Sequence, residues 1–176
     1  AAAEIRKRGR KVALDLFSPG LAPFVGQDYV TLAPLADWVK PMTYRLAKGP
    51  ASLRLEIPAL VENIASLTRT EASVLDGWCA DHLTGFDPTT LSIMRESAVP
   101  FSIMAREIAD AVEKLEPVPV YFGLELVRYP GVIEVKPADV SGMVEAGRGA
   151  GAAGAILCWD LMHVPQDGLQ ALGEVL

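Results

Sequence analysis

Ala36-Asp37-Trp38-Val39-Lys40-Pro41-Met42-Thr43-Tyr44-Arg45 is an apolar run that rises to a polar, aromatic end and then breaks at Lys48-Gly49-Pro50. A buried parallel strand reads this way when its carboxyl end delivers side chains to a functional rim. Three other segments share the build: Lys11–Phe17 with Asp15, Val118–Leu126 with Glu125, and Gly154–Leu161 with Trp159 and Asp160. Each ends in a carboxylate, an aromatic ring or both, and each is followed by a loop and helical sequence.

The intervening stretches carry helix punctuation. Residues 1–8 read as the end of a helix with Gly9 placed to cap it, and Asp28 can cap a short helix reaching about Leu35. Between Pro50 and about Leu115 the pattern is mainly helical. Leu53, Leu55, Ile57, Leu60, Val61, Ile64 and Leu67 include spacings of three and four, while Thr70 and Asp87-Pro88 are helix starts. Pro100 can open a last helix there, with Ile103, Met104, Ile108, Ala111, Val112 and Leu115 as its buried stripe. Pro137 opens a helix to about Gly147, and Asp167–Leu176 reads as a final short one.

Strands that alternate with helices predict an α/β protein built of parallel (β/α) units, laid side by side by right-handed crossovers. Four such units make half of a (β/α)8 TIM barrel, which typically takes about 250 residues when closed. The expectation is therefore one domain over residues 1–176: the C-terminal half of a TIM barrel with an extra helical insertion at about 51–115. A homodimer or an N-terminal half-barrel would complete it, or the sheet stays open.

Composition narrows the function classes. The chain of 176 residues is 51% hydrophobic and 22% charged, as a globular protein is. A net charge of −6 and a pI near 4.9 argue against nucleic acid or an anionic membrane surface as the main partner. The basic cluster Arg6-Lys7-Arg8 with Arg10 and Lys11 reads as a solvated helix end. Only Cys79 and Cys158 are present, in unrelated settings, so neither a disulfide framework nor a zinc site is expected. No run approaches a membrane span and no signal peptide is visible, which favours a soluble, cytoplasmic protein. Gly149-x-Gly151-x-x-Gly154 matches a dinucleotide fingerprint in letters alone. It follows a helix and opens a strand, the reverse of what the phosphate-binding turn requires, and no cofactor is expected.

Val39-Lys40-Pro41-Met42-Thr43-Tyr44 resembles the sixth strand of family-18-type glycoside hydrolases and related uncharacterised bacterial glycosidase-like barrels, in which a Met-x-Tyr pair projects into the sugar site. Tyr121-Phe122-Gly123-Leu124-Glu125 looks like a seventh strand carrying a carboxylate. Gly154-Ala155-Ile156-Leu157-Cys158-Trp159-Asp160 is similar to the last strand, where a Trp floors the sugar ring. Val25-Gly26-Gln27-Asp28-Tyr29 and Asp37-Trp38 also look like an uncharacterised bacterial family of this type. The Asp-x-x-Asp-x-Asp-x-Glu signature of family-18 enzymes is absent, so the general acid has no candidate in this chain. The resemblance implies an oligosaccharide or other small-molecule ligand at the C-terminal rim of the strands.

Glycoside hydrolysis uses two carboxyl groups that flank the bond, one protonated and one ionised. Glu125 is the candidate nucleophile or base, Asp160 assists or orients it, and Asp15 is the third carboxylate. Tyr44 and Trp159 would position the sugar, with Lys40, Thr43, Arg45 and His163 as further contacts; Lys40 shares strand parity with Met42 and Tyr44, and an inward Lys would need a carboxylate partner. Against this stand plainer roles: Asp15 bound in its own turn, Glu125 held by Arg45 or Arg128, Asp160 capping a loop, and Tyr44 and Trp159 packed in a core. Asp160-x-x-His163 with Glu125 would also make an oxygen and nitrogen set for a divalent ion, though the spacing is common by chance. His82 has no convincing partner set and reads as structural. Two functions follow, a glycoside-hydrolase-like enzyme or a non-catalytic carbohydrate-binding or scaffold module.

Overall fold

The computed structural model describes residues 1–71, 73–75, 77, 94, 96–158 and 160–176. Helix α1 (Ala2–Lys7) leads through Gly9, at φ +67°, into strand β1 (Ala13–Phe17). Short helix α2 (Tyr29–Leu32) follows, and its N-terminal N–H groups on Val30 and Thr31 donate to the Asp28 carboxylate as expected. Strand β2 (Trp38–Met42) precedes helices α3 (Leu53–Thr68) and α4 (Phe101–Leu115). Strand β3 (Tyr121–Glu125), helix α5 (Pro137–Gly149), strand β4 (Gly154–Cys158) and helix α6 (Gln166–Val175) complete the order. The chain is thus an α/β protein with short parallel strands.

β1 pairs with β2 and β3 with β4, both in parallel, with Asp15 opposite Lys40 and Glu125 opposite Cys158. A single parallel bridge, Val39 to Val120, joins the two pairs, with Val39 N–H donating to Pro119 O at 3.0 Å. Neighbours therefore run in sequence order, β1-β2-β3-β4.

Alternation along each strand sorts the side chains onto two faces. Leu16, Val39, Phe122 and Leu124 are buried under the helices. Leu16, Val39 and Val120 pack with Ala111 and Leu115 of α4 and with Tyr29. Phe122 and Leu124 pack with Met104 and Ile108 of α4, with Val140 and Met143 of α5, and with Ala171 of α6. On the opposite face Trp38, Lys40, Tyr121 and Ile156 are only half-buried. There the Trp38 and Tyr121 rings meet edge to face, their centroids 5.7 Å apart. α4 carries the expected stripe of Ile103, Met104, Ile108, Ala111 and Leu115, and buries Glu107 beside it.

The helical stretch after β2 differs in detail from its periodicity. Leu53, Ile57 and Val61 of α3 are buried against Leu21, Val99 and Ile103, whereas Leu55 and Leu67 are exposed. Three-residue and four-residue spacings define one stripe; Leu55 lies off it, whereas Leu67 lies on it but sits one residue from the helix end at Thr68. The helix starts with Ser52, whose hydroxyl oxygen accepts from Leu55 N–H at 3.2 Å. Ser52→Ala is expected to cost about 1 kcal/mol. A urea titration followed by circular dichroism would read this as a lowered midpoint, and an unchanged midpoint would deny the cap any contribution. The expected start at Asp87-Pro88, together with His82 and Cys79, lies outside the described residues.

The strands are shorter than the sequence pattern. β2 stops at Met42, and Thr43 N–H turns back to Pro41 O at 3.1 Å. Thr43, Tyr44 and Arg45 therefore belong to the buried loop after the strand, not to the strand itself.

Candidate functional site at the carboxyl ends of the strands

Glu125, the last residue of β3, is 1% exposed and its carboxylate lies within the loop that leaves β2. Its Oε2 accepts from Arg45 N–H at 2.8 Å and Leu46 N–H at 2.9 Å, and its Oε1 accepts from Ala47 N–H at 2.8 Å. Three consecutive backbone donors thus converge on one side chain. Burial pushes the Glu125 carboxyl above the ordinary range, while these N–H groups and the Arg45 charge pull it back. Both oxygens are committed, so Glu125 is not available to attack a sugar. The residue expected as nucleophile or base is thus placed as an anchor of the rim loop.

Arg45 is also diverted. Its Nε donates to Val99 O at 2.8 Å, its Nη1 to Asp139 at 3.0 Å, and its guanidinium stacks 3.9 Å over the Phe101 ring. At 6% exposure it braces α4 and α5 and does not face a ligand. Thr43, expected as a sugar contact, is fully buried, and among the described residues its hydroxyl has no hydrogen-bond partner.

Tyr44 is 4% exposed, with its ring laid across Gly123 and its hydroxyl donating to Cys158 Sγ at 3.3 Å. Burial first, then Cys158 and the carboxylates of Asp15 and Glu125, holds the phenol far above its usual range. It stays neutral and packs as core, where a sugar-stacking platform was expected. Cys158 in turn donates to Ile156 O at 3.3 Å, and burial raises its thiol against the opposing pull of Tyr44 and Lys40.

Beside this buried set lies an accessible ion pair. Lys40 Nζ and Asp15 Oδ2 are 2.7 Å apart, with side-chain exposures of 12% and 55%. The register opposes these two residues directly. Lys40 also approaches Cys158 Sγ at 3.9 Å. An inward Lys needs a carboxylate partner, and Asp15 is that partner.

Asp160 belongs to a different group. Its Oδ1 accepts from Met162 N–H at 2.9 Å and its Oδ2 lies 2.9 Å from His163 Nδ1 and 3.2 Å from the Tyr129 hydroxyl. The Tyr129 and His163 rings stack with centroids 4.3 Å apart. The Met162 N–H, then His163, holds Asp160 below the usual carboxylate range. It caps the turn Leu161–His163 and orients His163. Among the described residues no group of three or more His, Cys, Asp or Glu is placed to hold a metal ion. Trp159 lies outside the described residues. Among the described residues no helix is long and apolar enough to cross a membrane.

The structure thus brings Asp15, Lys40, Tyr44, Glu125 and Cys158 into one neighbourhood and sends Asp160 and His163 to another. Sequence reasoning missed Tyr129, whose only signal is an aromatic ring before the Pro130-Gly131 turn, and the backbone donors at 45–47, which leave no signal at all. Compared with protein-family models, with curated proteins and with solved structures, the chain matches none.

Proposed function

We propose that this chain is a (β/α) half-barrel of TIM type that binds carbohydrate on the half-exposed face below the carboxyl ends of its strands, with Asp15 and Lys40, midway along β1 and β2, as the ligand-facing pair. The sequential parallel order of β1 to β4, with helices over one face and a half-exposed opposite face, supports the half-barrel. A second copy or an N-terminal half would supply the other strands. The accessible Asp15–Lys40 pair carries the binding reading: it offers a carboxylate acceptor and an ammonium donor to hydroxyl groups.

Binding without hydrolysis is favoured by the state of the carboxylates. Hydrolysis asks for one protonated and one free carboxyl across an open cleft. Here Glu125 is saturated by backbone N–H groups, and Asp160 is engaged by Met162 and His163. The exposed Asp15 keeps a glycoside-hydrolase reading in play as the second one, with its general acid supplied from outside this chain.

Titration calorimetry with a panel of neutral oligosaccharides tests the proposal. Asp15→Asn should weaken binding about tenfold, the loss of one charge-assisted hydrogen bond. A panel without a binder, or an unchanged affinity in the variant, would sink it. Release of a chromophore from aryl glycosides by the parent chain, abolished in Asp15→Asn, would select the hydrolase instead.

A further inference from the structure

The loop after β3 folds back on itself. Tyr129 N–H donates to Ile133 O at 2.9 Å and Ile133 N–H to Tyr129 O at 3.0 Å, around Gly131 at φ +78°. Val132 O accepts from Lys48 N–H at 3.0 Å, which ties this hairpin to the loop after β2. Between the two loops opens a cleft of about 530 Å³, lined by Lys48, Arg54, Arg128 and Glu134 over a floor that includes Leu46 and Tyr129. Three cations face one carboxylate, so the wall is net positive in a chain whose net charge is −6.

We propose that this cleft is a second binding site, for a small molecule that carries a phosphate or carboxylate group. Two of the three cations, Lys48 and Arg54, have no carboxylate partner among the described residues, and the third, Arg128, has an exposed one. Arg54 donates through Nη1 to Leu46 O at 3.1 Å and through Nη2 to Glu96 O at 3.0 Å, and backbone carbonyls set its position but leave its charge. Arg128 shares Asp167 at 3.2 Å, but both side chains are about half exposed, where such pairs are weak. Lys48 is exposed and makes no ion pair among the described residues. An anion in the cleft would be attracted by all three charges at once. Guanidinium groups offer paired N–H donors that match two oxygens of a carboxylate or a phosphate. The volume suits a ligand of monosaccharide size or somewhat larger. None of these residues belongs to the Asp15–Lys40 pair, so the site stands whether or not neutral sugars bind there.

Amide chemical shifts of the 15N-labelled chain, titrated with inorganic phosphate, glucuronate or glucose to about 20 mM, reach millimolar affinities. Phosphate or glucuronate should move the amides of residues 46–48 and 128–134, and glucose should leave them in place. Movement with phosphate alone assigns a phosphorylated ligand, and movement with glucuronate alone a carboxylated one. Lys48→Glu, at an exposed position with no ion pair among the described residues, should weaken the response about tenfold with the β3 and β4 amides unchanged. The proposal is overturned if neither anion moves these amides, if glucose moves them equally, or if Lys48→Glu binds as the parent does.

Discussion

Glu125→Gln is expected to lower stability by about 3 kcal/mol, against a typical total of about 5 to 15 kcal/mol. The substitution keeps the shape and changes the inventory of acceptors. The carboxylate offers two oxygens to Arg45, Leu46 and Ala47 N–H, whereas the amide offers one oxygen and sets an NH2 against a donor. At least one buried N–H then goes unsatisfied, at about 1 to 3 kcal/mol, and the loop loses the charge that drew its donors together. Glu125→Ala should cost more, since it leaves all three donors without their acceptor. Urea denaturation followed by tryptophan fluorescence measures both. An unchanged midpoint for Glu125→Gln would reject the anchoring role and restore the residue as a candidate for chemistry, since a catalytic carboxylate tolerates its amide without loss of fold.

Gly123→Ala is the second large effect. A Cβ at this position would sit 2.5 Å from Tyr44 Cε1 and 3.3 Å from its Cζ. Gly123 is buried in β3, so the ring has to move, and that disturbs the hydroxyl's bond to Cys158. Overpacking of this kind costs about 1 to 3 kcal/mol, and the disturbed hydrogen bond adds to it. A double-mutant cycle isolates the cause. In a Tyr44→Ala background the same Gly123→Ala change meets no ring and should cost little, giving a coupling of about 1 to 2 kcal/mol. Additive costs in the urea midpoints would show that Gly123 is needed for some other reason than the close approach of Tyr44.

These two residues show how far the one-dimensional pattern reaches. Glu125 stands out in the sequence because a carboxylate at the end of an apolar run is costly without a partner. The natural partners to expect were Arg45 and Arg128, because charge is legible in letters. The actual partners are mainly backbone N–H groups, which nearly every residue possesses, so no spelling of residues 45–47 could announce them. Arg45 does reach Glu125, but through its main chain, while its side chain departs to Asp139 and Phe101. Gly123 likewise looked like part of a strand motif, and only the packing of a loop from β2 across β3 shows why a side chain is excluded there.

By itself the sequence determined the alternation of strands and helices, the helix starts at Asp28, Pro100 and Pro137, the buried stripe of α4 and the pairing need of Lys40. All of these follow from local forces: periodic burial, capping of neighbouring N–H groups, fixed proline φ, and the cost of an unpaired charge. Tertiary structure alone decided that Glu125 is an anchor, that Asp160 works with Tyr129 and His163, and that Lys48, Arg54 and Arg128 share one cleft. Those residues are separated along the chain, and which of them meet depends on how loops cross the ends of the strands. That path is set by the packing of the whole core, which no window of neighbouring residues contains.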